Sequence, residues 1–142
     1  MKKMLIALLV ALLAGSANAQ TVISNWSNDE KIFELNDGVL SKWSNDEKIY
    51  ELKDGVIMNW SNDEKLYEIK DNVLCKWSTD EKLYEYKDGV ISRWSNDEKL
   101  YEVKDGVIMK WSNDEKLYEI KGDYSVDELF MIMVGLGLLS DE

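Results

Sequence analysis

From Trp26 to Lys121 the chain alternates short apolar runs with short polar clusters at one fixed period. Trp26, Trp43, Trp60, Trp77, Trp94 and Trp111 recur every 17 residues. The unit around each reads Trp-Ser-Asn-Asp-Glu-Lys-(Ile/Leu)-(Tyr/Phe)-Glu-apolar-Lys-Asp-Gly-Val-(Ile/Leu)-x-(Lys/Asn/Arg). A constant period of this length is the mark of a repeat architecture. Each unit holds two apolar runs of five or six residues, too short for stable helices and of ordinary strand length. Valine, isoleucine, tyrosine and tryptophan suit a pleated surface, where branched and aromatic side chains pack well. The pattern therefore predicts twelve strands. Six, at 22–26, 39–43, 56–60, 73–77, 90–94 and 107–111, end in tryptophan; they alternate with 31–36, 48–53, 65–70, 82–87, 99–104 and 116–121.

Two kinds of turn separate the strands. Asp37-Gly38, Asp54-Gly55, Asp88-Gly89 and Asp105-Gly106 have the composition of a two-residue hairpin turn, whose positive φ glycine adopts without steric cost. Asp71-Asn72 replaces it once, and asparagine is the non-glycine residue that best tolerates that region. The Ser-Asn-Asp-Glu clusters read as longer turns in which Asn and Asp bond their own backbone. A two-residue turn at Asp71-Asn72 sets Lys70 opposite Val73, Ile69 opposite Leu74, Glu68 opposite Cys75, Tyr67 opposite Lys76 and Leu66 opposite Trp77. Neither resulting face is purely polar, so the hairpins are expected to pack on both faces, unlike a half-wetted sheet. The expected fold is all-β: six tandem 17-residue hairpin repeats closed into a ring, flower or barrel-like assembly.

The period fails after Lys121. Ser125 and Glu128 fit a capping box, with Asp127 and Glu128 at the favourable end of a helix dipole. Eleven uncharged residues follow, Leu129 to Leu139, in which Gly135 and Gly137 weaken a helix. This segment, 125–142, is expected to form a short helix or extended strip that buries against the repeats and closes the ring. The N-terminus reads differently. Lys2 and Lys3, an uncharged apolar run from Met4 to Gly15 and Ala17-Asn18-Ala19 form a secretory signal with cleavage between Ala19 and Gln20. The organisation is then a signal at 1–19, a repeat domain at 20–124 and the closing segment. A chain so processed is exported, periplasmic or secreted, and keeps no integral membrane span.

Composition narrows the chemistry. The 142 residues include 28 acidic, 17 basic and no histidine, for a net charge of −11. Cleavage at Ala19 removes two lysines and no acid, which leaves 15 basic residues and a net charge of −13. Acidity of this degree opposes phosphate binding, so nucleic acid is not an expected partner. Without histidine there is no Ser–His or Cys–His pair and no His-ligated zinc. The single Cys75 allows no internal disulfide; its column otherwise holds Ser24, Ser41, Met58, Ser92 and Met109, so it reads as a filler. Asn-Asp-Glu clusters supply oxygen ligands of the kind calcium takes, but each is followed by a lysine and none has the spacing of a known calcium loop. Acids in near-equivalent copies lack the contrasting environments that catalytic carboxylate pairs use. No cofactor and no enzymatic activity are expected.

Units of the form Asp-Gly-Val-Ile-x-x-Trp-Ser-Asn-Asp-Glu-Lys-Leu-Tyr-Glu-Ile resemble the five-fold β-flower proteins across residues 22–121. The resemblance implies a small exported bacterial protein with hairpins about a central axis and no established activity. This chain departs from that pattern in its tryptophan, in Tyr-Glu where glycine is common, and in having six hairpins. The remaining candidates for function are the aromatic columns: Trp26, Trp43, Trp60, Trp77, Trp94 and Trp111, with Tyr50, Tyr67, Tyr84, Tyr101 and Tyr118. Their first reading is packing within and between hairpins. Their second is ligand binding, by stacking on sugars or caging an ammonium group. The functional expectation is a non-enzymatic scaffold of the cell envelope with a protein partner; the alternative is a glycan or cell-wall binding module. Self-association is open.

Overall fold

A computed structural model describes residues 20–141. The proposed signal at 1–19 lies outside the described residues. Twelve antiparallel strands close into one barrel: β1 (Thr21–Asn25), β2 (Lys31–Asn36), β3 (Val39–Lys42), β4 (Lys48–Lys53), β5 (Val56–Asn59), β6 (Lys65–Lys70), β7 (Val73–Lys76), β8 (Lys82–Lys87), β9 (Val90–Arg93), β10 (Lys99–Lys104), β11 (Val107–Lys110) and β12 (Lys116–Lys121). Each neighbour in sequence is a neighbour in the wall, and β1 pairs with β12. One helix follows, α1 (Val126–Gly135).

The register across Asp71-Asn72 is the one the turn predicts, from Lys70↔Val73 to Tyr67↔Lys76. Both residues have positive φ, as do Asp37-Gly38 and its equivalents. Two such residues make the mirror-image turn whose twist matches that of the flanking strands. At Gly38 a Cβ would also stand 3.0 Å from the Leu52 carbonyl oxygen of the next hairpin, so the position is tight as well as twisted.

The first strand of each unit ends one residue earlier than expected, before the tryptophan. The polar turn at the other rim begins there: the Asp46 N–H donates to the Lys42 carbonyl, and the Lys42 N–H donates to the Glu47 carbonyl. Asp46 takes a left-handed conformation, φ 61°, and Asn45 Oδ1 accepts from the Glu47 N–H at 3.0 Å. Thr79, the one replacement for this asparagine, accepts the same bond at 3.3 Å.

Pairs joined by Asp-Gly turns are regular, whereas every seam between hairpins carries a register shift. At the β3–β4 seam Leu40 pairs with Tyr50 and Ser41 with Lys48, so Ile49 is the extra residue. A bulge bends its strand and increases the local twist. One bulge per seam is the device that curves so short a sheet into closure. The sequence pattern gave no sign of it, because the bulged residue, between a lysine and an aromatic, has the composition of any strand position.

Closure at β12–β1 copies a hairpin without a covalent turn. Ile120 pairs with Ile23 and Glu119 with Ser24, as Leu35 pairs with Leu40 and Glu34 with Ser41. Thr21 Oγ1 donates to the Asp123 carbonyl at 2.7 Å, where the turn would otherwise lie.

Inward-facing residues form three rings. Ile23, Leu40, Ile57, Leu74, Ile91 and Ile108 make the middle ring and are fully buried. Leu35, Leu52, Ile69, Tyr86, Val103 and Ile120 line the rim of the tight turns, and Phe33 with the five tyrosines lines the other. α1 occupies the space they enclose. Leu129 through Met133 are all at most 1% exposed. Five consecutive buried residues exceed one helical turn, so the helix is covered on every side. It enters beside Thr21, Leu35 and Asp37 and leaves beside Tyr84 and Tyr101. Ten residues of helix rise about 15 Å, within the height of a wall of four- to six-residue strands. Packing therefore concentrates on the inner face; the outer face carries Glu, Lys and tryptophan with a column of valines and a Ser/Met/Cys column, of which Val73, Cys75 and Met58 are buried.

The caps hold as expected at one end and differ at the other. Ser125 Oγ accepts from the Glu128 N–H at 3.1 Å, and Glu128 Oε1 accepts from the Ser125 N–H at 2.8 Å. The helix ends within the apolar run, and Gly137 closes it: with φ 78°, its N–H donates to Val134 and the Leu138 N–H to Met133. That pair of bonds is a Schellman motif. Gly135 makes room, since a Cβ there would sit 2.7 Å from Leu40 Cδ2.

Two outcomes follow. Removing residues 125–142 should abolish the cooperative thermal transition and give associated species in size-exclusion chromatography, because each emptied apolar site forfeits ~1.5–3 kcal/mol of burial. An unchanged melting temperature with a monomeric product would contradict a plug. Gly137→Ala should cost about 1 kcal/mol in urea unfolding, since it strains φ without a clash.

Candidate functional site

The two aromatic columns do not form one site; the wall separates them. Tyr50, Tyr67, Tyr84, Tyr101 and Tyr118 belong to the core or pack against it. Their hydroxyls surround the exit of α1. The Tyr84 hydroxyl lies 3.0 Å from the Ser140 carbonyl as donor and 3.4 Å from the Ser140 N–H as acceptor. Tyr101 donates to the Leu138 carbonyl at 3.4 Å, and Lys76 pairs with Asp141 at 3.5 Å. The tyrosine ring thus seats the end of the plug. Burial, and then the negative charge of Asp141, pushes the Tyr67 hydroxyl up to about 12; burial also raises Tyr101.

Trp26, Trp43, Trp60, Trp77, Trp94 and Trp111 lie outside and are each 38–42% exposed. They follow the ends of β1, β3, β5, β7, β9 and β11 and form a girdle below the polar turns. Each is fixed by its backbone: the Trp43 N–H donates to Ile32 and the Trp77 N–H to Leu66. Over each indole lies an ammonium. Lys31 sits 4.9 Å from the centroid of Trp43, and Lys48, Lys65, Lys82 and Lys99 repeat the contact on Trp60, Trp77, Trp94 and Trp111 at 4.9–5.1 Å. Lys116 closes the circle on Trp26 across the chain ends. These lysines were missed as partners of the tryptophans, although their constant place five residues after every Trp carried the signal. Cation–π attraction ties the open end of each hairpin. It also fills the face an ammonium ligand would need.

The outer charges are exposed ion pairs, among them Lys42–Glu47 at 3.1 Å and Arg93–Glu98 at 3.2 Å; such pairs contribute little to stability. Among the described residues no three His, Cys, Asp or Glu side chains gather as a metal site, and no helix is long and apolar enough to cross a membrane. Cys75 is buried and unpaired, and its burial raises the thiol above its ordinary value. A raised value disfavours the nucleophilic thiolate.

No protein-family model, curated protein or solved structure matches the chain. The arrangement of its own side chains is therefore the ground for any functional reading.

Lys82→Met, which keeps the stem and removes the charge, should destabilise the barrel by about 0.5–1 kcal/mol. A double-mutant cycle with Trp94→Leu should recover that coupling and find none with Trp60. In alkali, the folded state keeps the Tyr67 proton that the unfolded chain loses near ~10. Its contribution to stability is then complete below about 10 and disappears as pH rises towards about 12. Phenol absorbance and melting temperature, followed together, should show the buried tyrosines, Tyr67 among them, ionising late and stability falling across that window.

Proposed function

We propose that this protein is a non-enzymatic, exported scaffold of the cell envelope that displays one outward motif six times around a rigid barrel. The observation that carries the reading is the tryptophan girdle. Six large apolar side chains held at 38–42% exposure, in one circle, form a repeated contact surface. The plug absorbs the needs of the core, so these indoles are free to serve binding. Strands of four to six residues are shorter than the roughly nine to eleven that cross a bilayer, which supports a role in water or on a polymer. Closure removes free sheet edges, and the acidic surface discourages nonspecific association.

A glycan or cell-wall partner is the second reading, favoured by the outward placement of the indoles. A protein partner would use the same girdle, where aromatic anchors dominate interface energies.

Cell fractionation with N-terminal sequencing should find the chain outside the cytoplasm, beginning at Gln20. Immobilised mature chain should bind a defined envelope polymer or protein, and the double variant Trp60→Leu, Trp94→Leu should weaken that binding while the chain still melts cooperatively, at a temperature lowered by the two lost Lys–Trp contacts. A cytoplasmic chain that begins at Met1 would overturn the reading, as would binding indifferent to the tryptophans.

A further inference from the structure

The tryptophan girdle lies between two rows of carboxylates. Glu34, Glu51, Glu68, Glu85, Glu102 and Glu119 form a belt on the outer wall, and each is half-buried. Within a hairpin the glutamate faces the Ser/Met/Cys column, as Glu34 faces Ser41; across a seam it faces a valine, as Glu51 faces Val39. Ser41 stands two residues before Trp43, so the belt runs about 7 Å from the girdle along the wall. On its other side each indole is followed by a polar turn whose aspartate is exposed, as Asp46 is after Trp43. Alternate strands carry the pattern, so it recurs about every 10 Å around the barrel.

The cations of this surface are already engaged. Six lysines lie over the indoles, and Lys42, Lys70, Lys76, Arg93, Lys110 and Lys121 sit in ion pairs. Among the described residues this leaves Lys53, Lys87 and Lys104, each beside the aspartate of a tight turn at the rim opposite the girdle. The carboxylates are not engaged in the same measure. Among the described residues, Glu34, Glu51, Glu85 and Glu102 are in no ion pair, nor is any aspartate of the polar turns. The girdle is therefore exposed indole framed by uncompensated negative charge, on a chain of net charge −11. That frame selects among partners. A polyanion, whether nucleic acid, anionic polymer or anionic lipid, is repelled, and a second copy brings the same charge to the contact. A neutral glycan gains nothing from the carboxylates around the rings. A purely apolar protein face would strip water from the glutamates and leave them unpaired. A protein face with apolar anchors at its centre and Lys or Arg around them meets both the indoles and the carboxylates.

We propose that the tryptophan girdle, with the glutamate belt and the aspartates of the polar turns, docks a basic protein surface. The inference rests on the display reading above and names the class of partner. The indoles take the apolar anchors, where aromatic side chains dominate interface energies. The carboxylates steer the approach and fix its orientation.

The test uses the chain beginning at Gln20 and three synthetic helical peptides of one length, followed through indole emission. One peptide has an arginine face and a leucine face; in the others glutamate replaces the arginines or serine replaces the leucines. The Arg/Leu peptide should bind saturably and weaken as salt rises from ~0.05 to ~0.5 M. The Glu/Leu peptide should not bind, and the Arg/Ser peptide should bind about tenfold more weakly. The variant Glu34→Gln, Glu51→Gln, Glu85→Gln, Glu102→Gln should weaken the Arg/Leu peptide about tenfold. The variant Asp37→Asn, Asp54→Asn, Asp88→Asn, Asp105→Asn makes the same change of charge at the far rim and should weaken it by no more than about twofold. Cooperative melting of both variants reports an intact fold. Equal loss in the two variants would reduce the effect to net charge and overturn the assignment. Absence of saturable binding, or equal affinity for the Glu/Leu or the Arg/Ser peptide, would overturn it too. If the Arg/Leu peptide fails while an envelope partner still depends on Trp60 and Trp94, the display reading stands and only this class of partner falls.

Discussion

A twelve-stranded barrel encloses more space than its own side chains fill, and the rest of this structure answers that constraint. Barrel diameter grows with strand number, and about eight strands is the size at which inward side chains close the interior. Here the middle ring of six Ile and Leu residues is fully buried only because α1 stands inside it. The helix is apolar on all sides for the same reason. Its length suits the short strands, its start is fixed by a capping box and its end by Gly137. The wall and the plug each present an apolar surface that water would otherwise contact.

Because the core problem is solved on the inside, the outer face is released from it. The tryptophans and their lysines are not needed to fill the barrel; they tie hairpins and remain half-exposed. Six near-equal copies of that arrangement point outward at regular intervals. The acidity noted in the sequence is distributed in the same way, in turns at both rims and as one glutamate per unit on the wall, with no concentrated acidic site.

Closure also explains the unequal ends of the repeat array. Five hairpins are covalent, and the sixth is assembled from β12 and β1. It carries the same register as the others and the same Lys–Trp contact, Lys116 over Trp26. The chain ends lock the ring through pairs about a hundred residues apart, as Ile23 and Ile120 show.

The strands, both turn types, the register at Asp71-Asn72 and the capping box were legible in the sequence because each depends on local chemistry: period, positive φ, and side chains that bond nearby backbone. The candidate site was legible only in part. Its tryptophans announced themselves by period, and the hairpin register already put Tyr67 and Trp77 on opposite faces. Which of those faces turns inward was not local; closure of the hairpins round the plug decides it. Gly135 and Gly137 marked where the helix stops, but their separate parts were not legible: one clears Leu40 and the other forms the cap. The sequence by itself determined a closed set of six β units and an apolar tail. Tertiary structure decided that the tail is a helix inside the barrel, which tyrosines seat it and which faces stay wet, because burial is a property of what surrounds a residue and not of the residue.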